Sequence, residues 1–172
     1  MNLDVSNWRE FIVGKLFSQM YKAEAHVKGD MSLCERHDSD AIRFITRTDV
    51  NNGCDCYVVN NDLSGIEEGN AIIIGDTTST LFYQNEAFVT GDHIVVCRAD
   101  WINEYTAIFI KSILEKDRYR YSYGRAFKFD LINSVSVKLP VLFTRLKHEP
   151  SKETRCSRRQ GNQQLNNTIK CK

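Results

Sequence analysis

Two stretches of the chain carry side chains suited to recognition chemistry. The first is YRYSYGRAFK, residues 119–128, in which Tyr119, Tyr121 and Tyr123 alternate with Arg120 and Ser122, with Arg118 before them and Arg125 and Lys128 after. Arginine forks phosphates or guanine edges, and tyrosine offers a stacking face and a hydroxyl. Arg118, Arg120, Tyr121, Tyr123, Arg125 and Lys128 are therefore candidate nucleic-acid contacts. The same alternation also suits the half-buried face of a strand, or a wrap around a helix end, with the arginines merely solvated. The second stretch is RFITRTDVNNG, residues 43–53, where Arg43, Arg47, Asn51 and Asn52 are of the types that bond base edges. Its plain alternative is an edge strand and a polar hairpin.

Catalytic chemistry finds less support. A DNA methyltransferase needs a glycine-rich cofactor loop and an Asn/Asp-Pro-Pro-aromatic stretch, and the two prolines, Pro140 and Pro150, are not adjacent. GDTTST, residues 75–80, lacks the Gly-Lys-Ser/Thr of a phosphate-binding loop. Glu115 and Lys116 are adjacent on a predicted helix, where a metal-dependent nuclease wants Glu-x-Lys on a strand. The four histidines have no Ser or Cys partner at the spacing of a nucleophilic triad. Cys34-x-x-His37 with Cys54-x-Cys56 offers four zinc-type ligands, but the second gap is tight and Cys56 leads into an apolar strand that favours packed thiols. No catalytic residue, no metal and no cofactor bound by this chain is expected.

These residues need a scaffold, and the composition allows one. The 172 residues are 42% hydrophobic and 26% charged, enough apolar material for one globular domain. No apolar run approaches the roughly 18 residues of a membrane span, and Asp4 and Glu10 sit where a signal peptide wants cations, so a cytoplasmic protein with reduced thiols is expected. The charge is uneven. Residues 141–172 hold 8 Lys/Arg against 2 Glu, leaving 23 − 8 = 15 basic and 22 − 2 = 20 acidic residues in 1–140. A body at −5 binds nucleic acid through local patches or through a partner's charge, not through its bulk field.

Along the chain, residues 8–20 read as a short strand followed by a turn or helix, and residues 21–40 as a loop. From Ala41 the pattern is sheet: AIRFITRT alternates, Asn51-Asn52-Gly53 is a hairpin signal, and GNAIIIGD is a buried strand. STLFYQNEAFVTGDHIVVCRAD reads as strand-turn-strand about Gly91-Asp92. Asn103 caps a helix over about 104–117, with Tyr105, Ile108, Phe109, Ser112 and Ile113 at helical spacing. An amphipathic turn and a short strand ending at Pro140 complete a domain over 1–140. The polar, basic tail 141–172 is expected to be disordered.

Taken in order, W..F....LF, FITRT..NNG...YV, EEGNAIIIGD, FYQNEAFVTGD, NEYTAIFI and YRYSYGRAFKFD.I....VKLP resemble the target recognition domain of restriction-modification specificity subunits, the Type I S subunit and its Bcg-like relatives, over about residues 7–140. The resemblance implies a mixed α/β (α+β) fold, a curved, mainly antiparallel sheet with a few helices. It implies a non-catalytic protein that reads part of a double-stranded DNA site and docks onto a methyltransferase subunit. S-adenosylmethionine chemistry would then lie in that partner, and ATP and magnesium would serve a separate motor-nuclease subunit. Gly69, Gly75, Gly91 and Gly124 would serve backbone geometry, and Tyr123 and Arg125 either the scaffold or DNA. A full subunit of this kind has two recognition domains and long spacer helices, whereas no heptad pattern and no second copy follow Pro140. Three forms stay open: a half-subunit that pairs with another half, a truncated remnant that no longer assembles, and a recognition fragment of a fused restriction-methyltransferase enzyme.

Overall fold

The computed structural model describes residues 5–116 and 129–140. The strands are β1 Trp8–Ile12, β2 Gln19–Lys22, β3 Leu33–Cys34, β4 Ala41–Ile45, β5 Cys54–Val59, β6 Ala71–Gly75, β7 Leu81–Gln84, β8 Phe88–Thr90, β9 Ile94–Arg98 and β10 Ser136–Pro140. Two helices, α1 Glu104–Lys116 and α2 Phe129–Ser134, precede β10, so the amphipathic turn expected before the last strand is a short helix. The strands form a four-stranded sheet in the order β2-β9-β6-β7, a second in the order β3-β5-β4-β8, and a ribbon of β1 and β10. Every ladder is antiparallel except β4 with β8. The class is thus the mixed, mainly antiparallel one expected, built as two packed sheets and not one.

The layering explains why β6 is apolar at every position. Side chains alternate across a strand, so a strand covered on one face shows alternation and a strand covered on both shows a run. Ile72 and Ile74 point with Val95 and Cys97 of β9 into a core completed by Val13, Leu16, Ile110, Ile132 and Leu139. Ala71 and Ile73 point with Ile94 and Val96 the other way, onto Ile45, Cys54 and Phe88 of the second sheet. A third cluster, Ile42, Phe44, Val58 and Val89, fills the outer face of that sheet. Burial alone pushes the Cys97 thiol well above its ordinary pKa, so this cysteine behaves as a small apolar side chain.

Three expectations change. Residues 21–40, expected as a loop, carry the end of β2 and all of β3, which pair with β9 and β5. Gly91-Asp92 does turn the chain, but β8 and β9 do not pair with each other. β8 lies parallel to β4 in one sheet and β9 joins β6 and β2 in the other, so the turn carries the chain between layers. On α1 the inward residues are Ala107 and Ile110, with Phe109, Ile113 and Leu114 packed at the margin, whereas Tyr105 and Ile108 are 82% and 55% exposed. The cap is as expected: Thr106 N–H donates to Asn103 Oδ1 at 3.0 Å and Asn103 N–H to Thr106 Oγ1 at 2.9 Å. Asn103→Ala should lower stability by about 1 kcal/mol, read as a shift of the urea midpoint at constant slope.

A half-buried network ties the layers together. Arg98, at the end of β9, donates to Tyr21 OH (3.2 Å), Gly69 O (3.0 Å), Glu67 Oε2 (2.8 Å) and Glu68 O (2.9 Å). Tyr21 OH also donates to Glu67 Oε2 at 2.5 Å. Burial, joined by the Glu67 carboxylate, raises the Tyr21 pKa against the opposing pull of Arg98. Burial works against the Arg98 charge, but the bonds to Tyr21 and Glu67 outweigh it and hold that pKa above its ordinary value. Gly69 needs to be glycine here, because a Cβ would collide with the Asn85 backbone, 2.7 Å from its carbonyl carbon. Among the described residues no helix is long and apolar enough to cross a membrane.

Candidate nucleic-acid interface

The loop between β4 and β5 is shaped by its own sequence. Thr46 N–H bonds Gly53 O at 2.9 Å and Gly53 N–H bonds Val50 O at 3.0 Å, closing the loop. Asn51, Asn52 and Gly53 have φ of 49°, 55° and 79°, the left-handed region that Asn and Gly tolerate best. Both asparagines then turn back on the backbone. Asn51 Nδ2 donates to Cys54 O at 3.0 Å, and Asn52 Nδ2 donates to Tyr83 O at 2.7 Å while its carbonyl accepts from Gln84 Nε2 at 2.8 Å. Each amide has committed one N–H donor, that of Asn51 to the loop's own end at Cys54 and that of Asn52 to β7, so only its second N–H and its Oδ1 remain for a base.

Arg47, exposed at the start of this loop, reaches the turn between β6 and β7. Its Nη1 donates to Thr77 Oγ1 at 2.9 Å, and Thr78 Oγ1 donates to Arg47 O at 3.4 Å. Asp76, only 4% exposed in its side chain, anchors that turn. It pairs with Lys22 Nζ at 3.4 Å, and His93 Nδ1 lies 3.0 Å from its Oδ1, close but out of line for a hydrogen bond. The other end of the loop meets α1, where Asn52, Tyr83, Asn85, Glu104, Ile108 and Lys111 line a groove of about 320 Å³. Lys111 Nζ sits 4.1 Å above the centre of the Phe82 ring, which fixes one cation at its edge.

Arg43 stands apart from this group. It lies on β4 opposite Tyr57 and Phe88, and lines a separate groove of about 420 Å³ with Arg36, Asp40, Asn60 and Glu86. Its Nε is buried and meets no acceptor among the described residues. The structure therefore keeps Arg47, Asn51 and Asn52 in one loop, tied by Asn52 to β7 and by Arg47 to the turn before it, and places Arg43 at a different margin.

No protein-family model matches the sequence, and no curated protein matches it. Solved structures do match in shape. A chain from a Type I restriction-modification system, in work on complex assembly and conformational transition, aligns with 85% of this chain and 37% of its own length, at TM-score 0.57 and 12% identity. The HsdS subunit of Thermoanaerobacter tengcongensis aligns with 87% and 42%, at 0.55 and 11%. The S subunit of a Type I restriction-modification system from M. genitalium aligns with 81% and 37%, at 0.55 and 12%. The chain has the fold of a Type I specificity-subunit recognition domain. It spans about two fifths of the length of those proteins.

The structure adds residues to the candidate surface that the sequence does not mark as contacts. Thr77 and Asp76 lie in GDTTST, which is not a phosphate-binding loop, and its hydroxyls are the local signal. Lys22, His93 and Lys111 reach the same region from β2, the turn before β9 and α1, and nothing local marks them. Arg118, Arg120, Tyr121, Tyr123, Arg125, Lys128 and Gly124 lie outside the described residues, as does the tail from Val141. Cys34, His37, Cys54 and Cys56 make no metal site, since no three metal-ligating side chains converge among the described residues. Burial, with Asp55 and the neighbouring thiols, raises the Cys56 pKa against the pull of Lys28.

Proposed function

We propose that this chain is a DNA-binding specificity subunit, or the recognition domain of one, in a restriction-modification system. It reads one part of a duplex DNA target and directs a partner methyltransferase, and through it a motor-nuclease, to that site. The observation that carries this reading is the fold shared with Type I specificity subunits across more than four fifths of the chain. The polar loop 46–53 supports it, since Arg47 and Asn52 are tethered by long-range bonds to the turn before β7 and to β7 while Asn51 closes the loop locally, and base readout needs preorganised donors. The net negative body supports it too: phosphate neutralisation is left to partners, while this domain supplies selectivity.

On this reading the chain is not an enzyme. S-adenosylmethionine is bound by the methyltransferase, and ATP and magnesium by the motor-nuclease. A second specificity half supplies the other part of a bipartite site, and the assembly acts in the cytoplasm. The deciding test is a genome-wide map of adenine and cytosine methylation in the host, with and without this gene. One sequence motif should lose its methyl marks on deletion. An unchanged map, together with no sequence preference of the purified chain for duplex DNA, overturns the reading. Arg47→Ala should cost about 1–3 kcal/mol of binding to that motif and relax one base position, measured by competition against single-base variants.

A further inference from the structure

The turn Asp76–Thr80 is held more firmly than an exposed loop needs for its own sake. Its backbone closes through Gly75 N–H to Thr80 O and Ser79 N–H to Gly75 O, both at 2.9 Å, and Asp76 N–H bonds His93 O at 2.9 Å. Ser79 takes a φ of 57°. A Cβ at Gly75 would stand 2.5 Å from Thr80 Oγ1 and 2.6 Å from Thr78 Oγ1, so the hydroxyls pack where only hydrogen fits. The Asp76 carboxylate, buried between Lys22 and His93, fixes the base of the turn. Against this frame Thr77 accepts one N–H of Arg47.

An arginine carries five N–H donors in a rigid planar fork. With one given to Thr77, the other four meet no acceptor among the described residues, and the Nε and Nη2 edge stays whole. A freely rotating exposed arginine would lose much of its binding energy to ordering, and a tethered one has met that cost in folding. The surroundings favour a base over a phosphate. The lysine beside this turn, Lys22, is paired with the Asp76 carboxylate, so no cluster of positive charge gathers here. We infer that Thr77 is a positioning residue whose hydroxyl holds the Arg47 guanidinium for a bidentate contact with the edge of one guanine in the DNA site. This rests on the DNA-recognition reading above and adds to it which side chain sets a base preference and what aims it.

The test is a selection from duplexes carrying a randomised 12-base-pair core in fixed flanks. The purified full chain is used as wild type, Thr77→Ala, Thr77→Ser, Arg47→Lys and Arg47→Ala, each with a melting temperature and a salt titration on the winning duplex. Wild type should enrich a motif with a guanine at one position. Thr77→Ala should reduce the preference for that base pair by about 5–10-fold and leave the other positions, the salt slope and the melting temperature unchanged. Thr77→Ser should retain it, and Arg47→Lys, which keeps the charge and loses the fork, should lose it. An unaltered motif in Thr77→Ala overturns the positioning role. So does equal weakening of all sequences with a flatter salt slope in Arg47→Ala, which marks a phosphate contact. A wild-type chain that enriches no motif, together with an unchanged methylation map, overturns the DNA-recognition reading itself.

Discussion

Phe88→Ala should cost about 3–5 kcal/mol, the range for emptying a fully buried aromatic site, and so remove a large part of a typical domain's 5–15 kcal/mol. Phe88 is completely buried between the two sheets, among Ile45, Ala71, Ile73, Ile94 and Val96. Its neighbours cannot relax into the space, because they are mostly β-branched side chains on strands fixed by ladders on both sides. Its own backbone is equally committed: Phe88 N–H bonds Glu67 O at 3.0 Å and Glu67 N–H bonds Phe88 O at 2.8 Å, while β8 runs beside β4. Urea unfolding followed by circular dichroism measures the loss, with Ile108→Ala as the exposed control, expected within about 0.5 kcal/mol of wild type. A loss below about 1 kcal/mol in Phe88→Ala would show that the sheets are not joined through this ring.

The same ring shows where the sequence stops being informative. AFVTGD announces a strand and a turn, and both are present, but a local signal cannot say that the strand before the turn pairs with β4, some 45 residues back, and the strand after it with β6. That pairing is decided by which faces are left uncovered once the layers stack. The run AIIIG was legible as a buried strand for a physical reason, since only a strand covered twice can drop its polar residues. What covers each face was not written in it. Helix α1 was legible in its cap and length, and its face was misjudged because periodicity counts size and apolarity. One of the two residues facing inward is a small alanine, Ala107, which such a count passes over.

The candidate site divides in the same way. The Asn-Asn-Gly turn was legible, because few other residues accept three successive left-handed φ values. Arg43 and Arg47 are four apart and would share a face of a regular strand, which suggests a pair. The ladder shifts between Phe44 and Ile45, and β4 ends at Ile45, so the two arginines part to different margins. The anchors of Asn52 and Arg47 lie 31 and 30 residues away, on β7 and its preceding turn, and no local pattern contains them.

Arg98→Ala should cost about 2–5 kcal/mol, more than one lost side chain would suggest, because of what it leaves behind. Glu67 is 12% exposed in its side chain and has Arg98 as its cation at 2.8 Å, so the variant strands a carboxylate in a place water barely reaches, with Gly69 O and Glu68 O also losing their donor. The penalty should then fall when the stranded charge is removed. Arg98→Ala with Glu67→Gln should be more stable than Arg98→Ala alone by about 1–2 kcal/mol, although two native partners are gone. Additive losses in this cycle would mean that the pair is solvated and the network a surface feature. The expected recovery would mark Glu67 as a clamp, bound through its backbone to β8 and through its side chain to β9. By that clamp the loop from Glu67 to Gly69 holds the two sheets in the relation that sets loop 46–53 against β7.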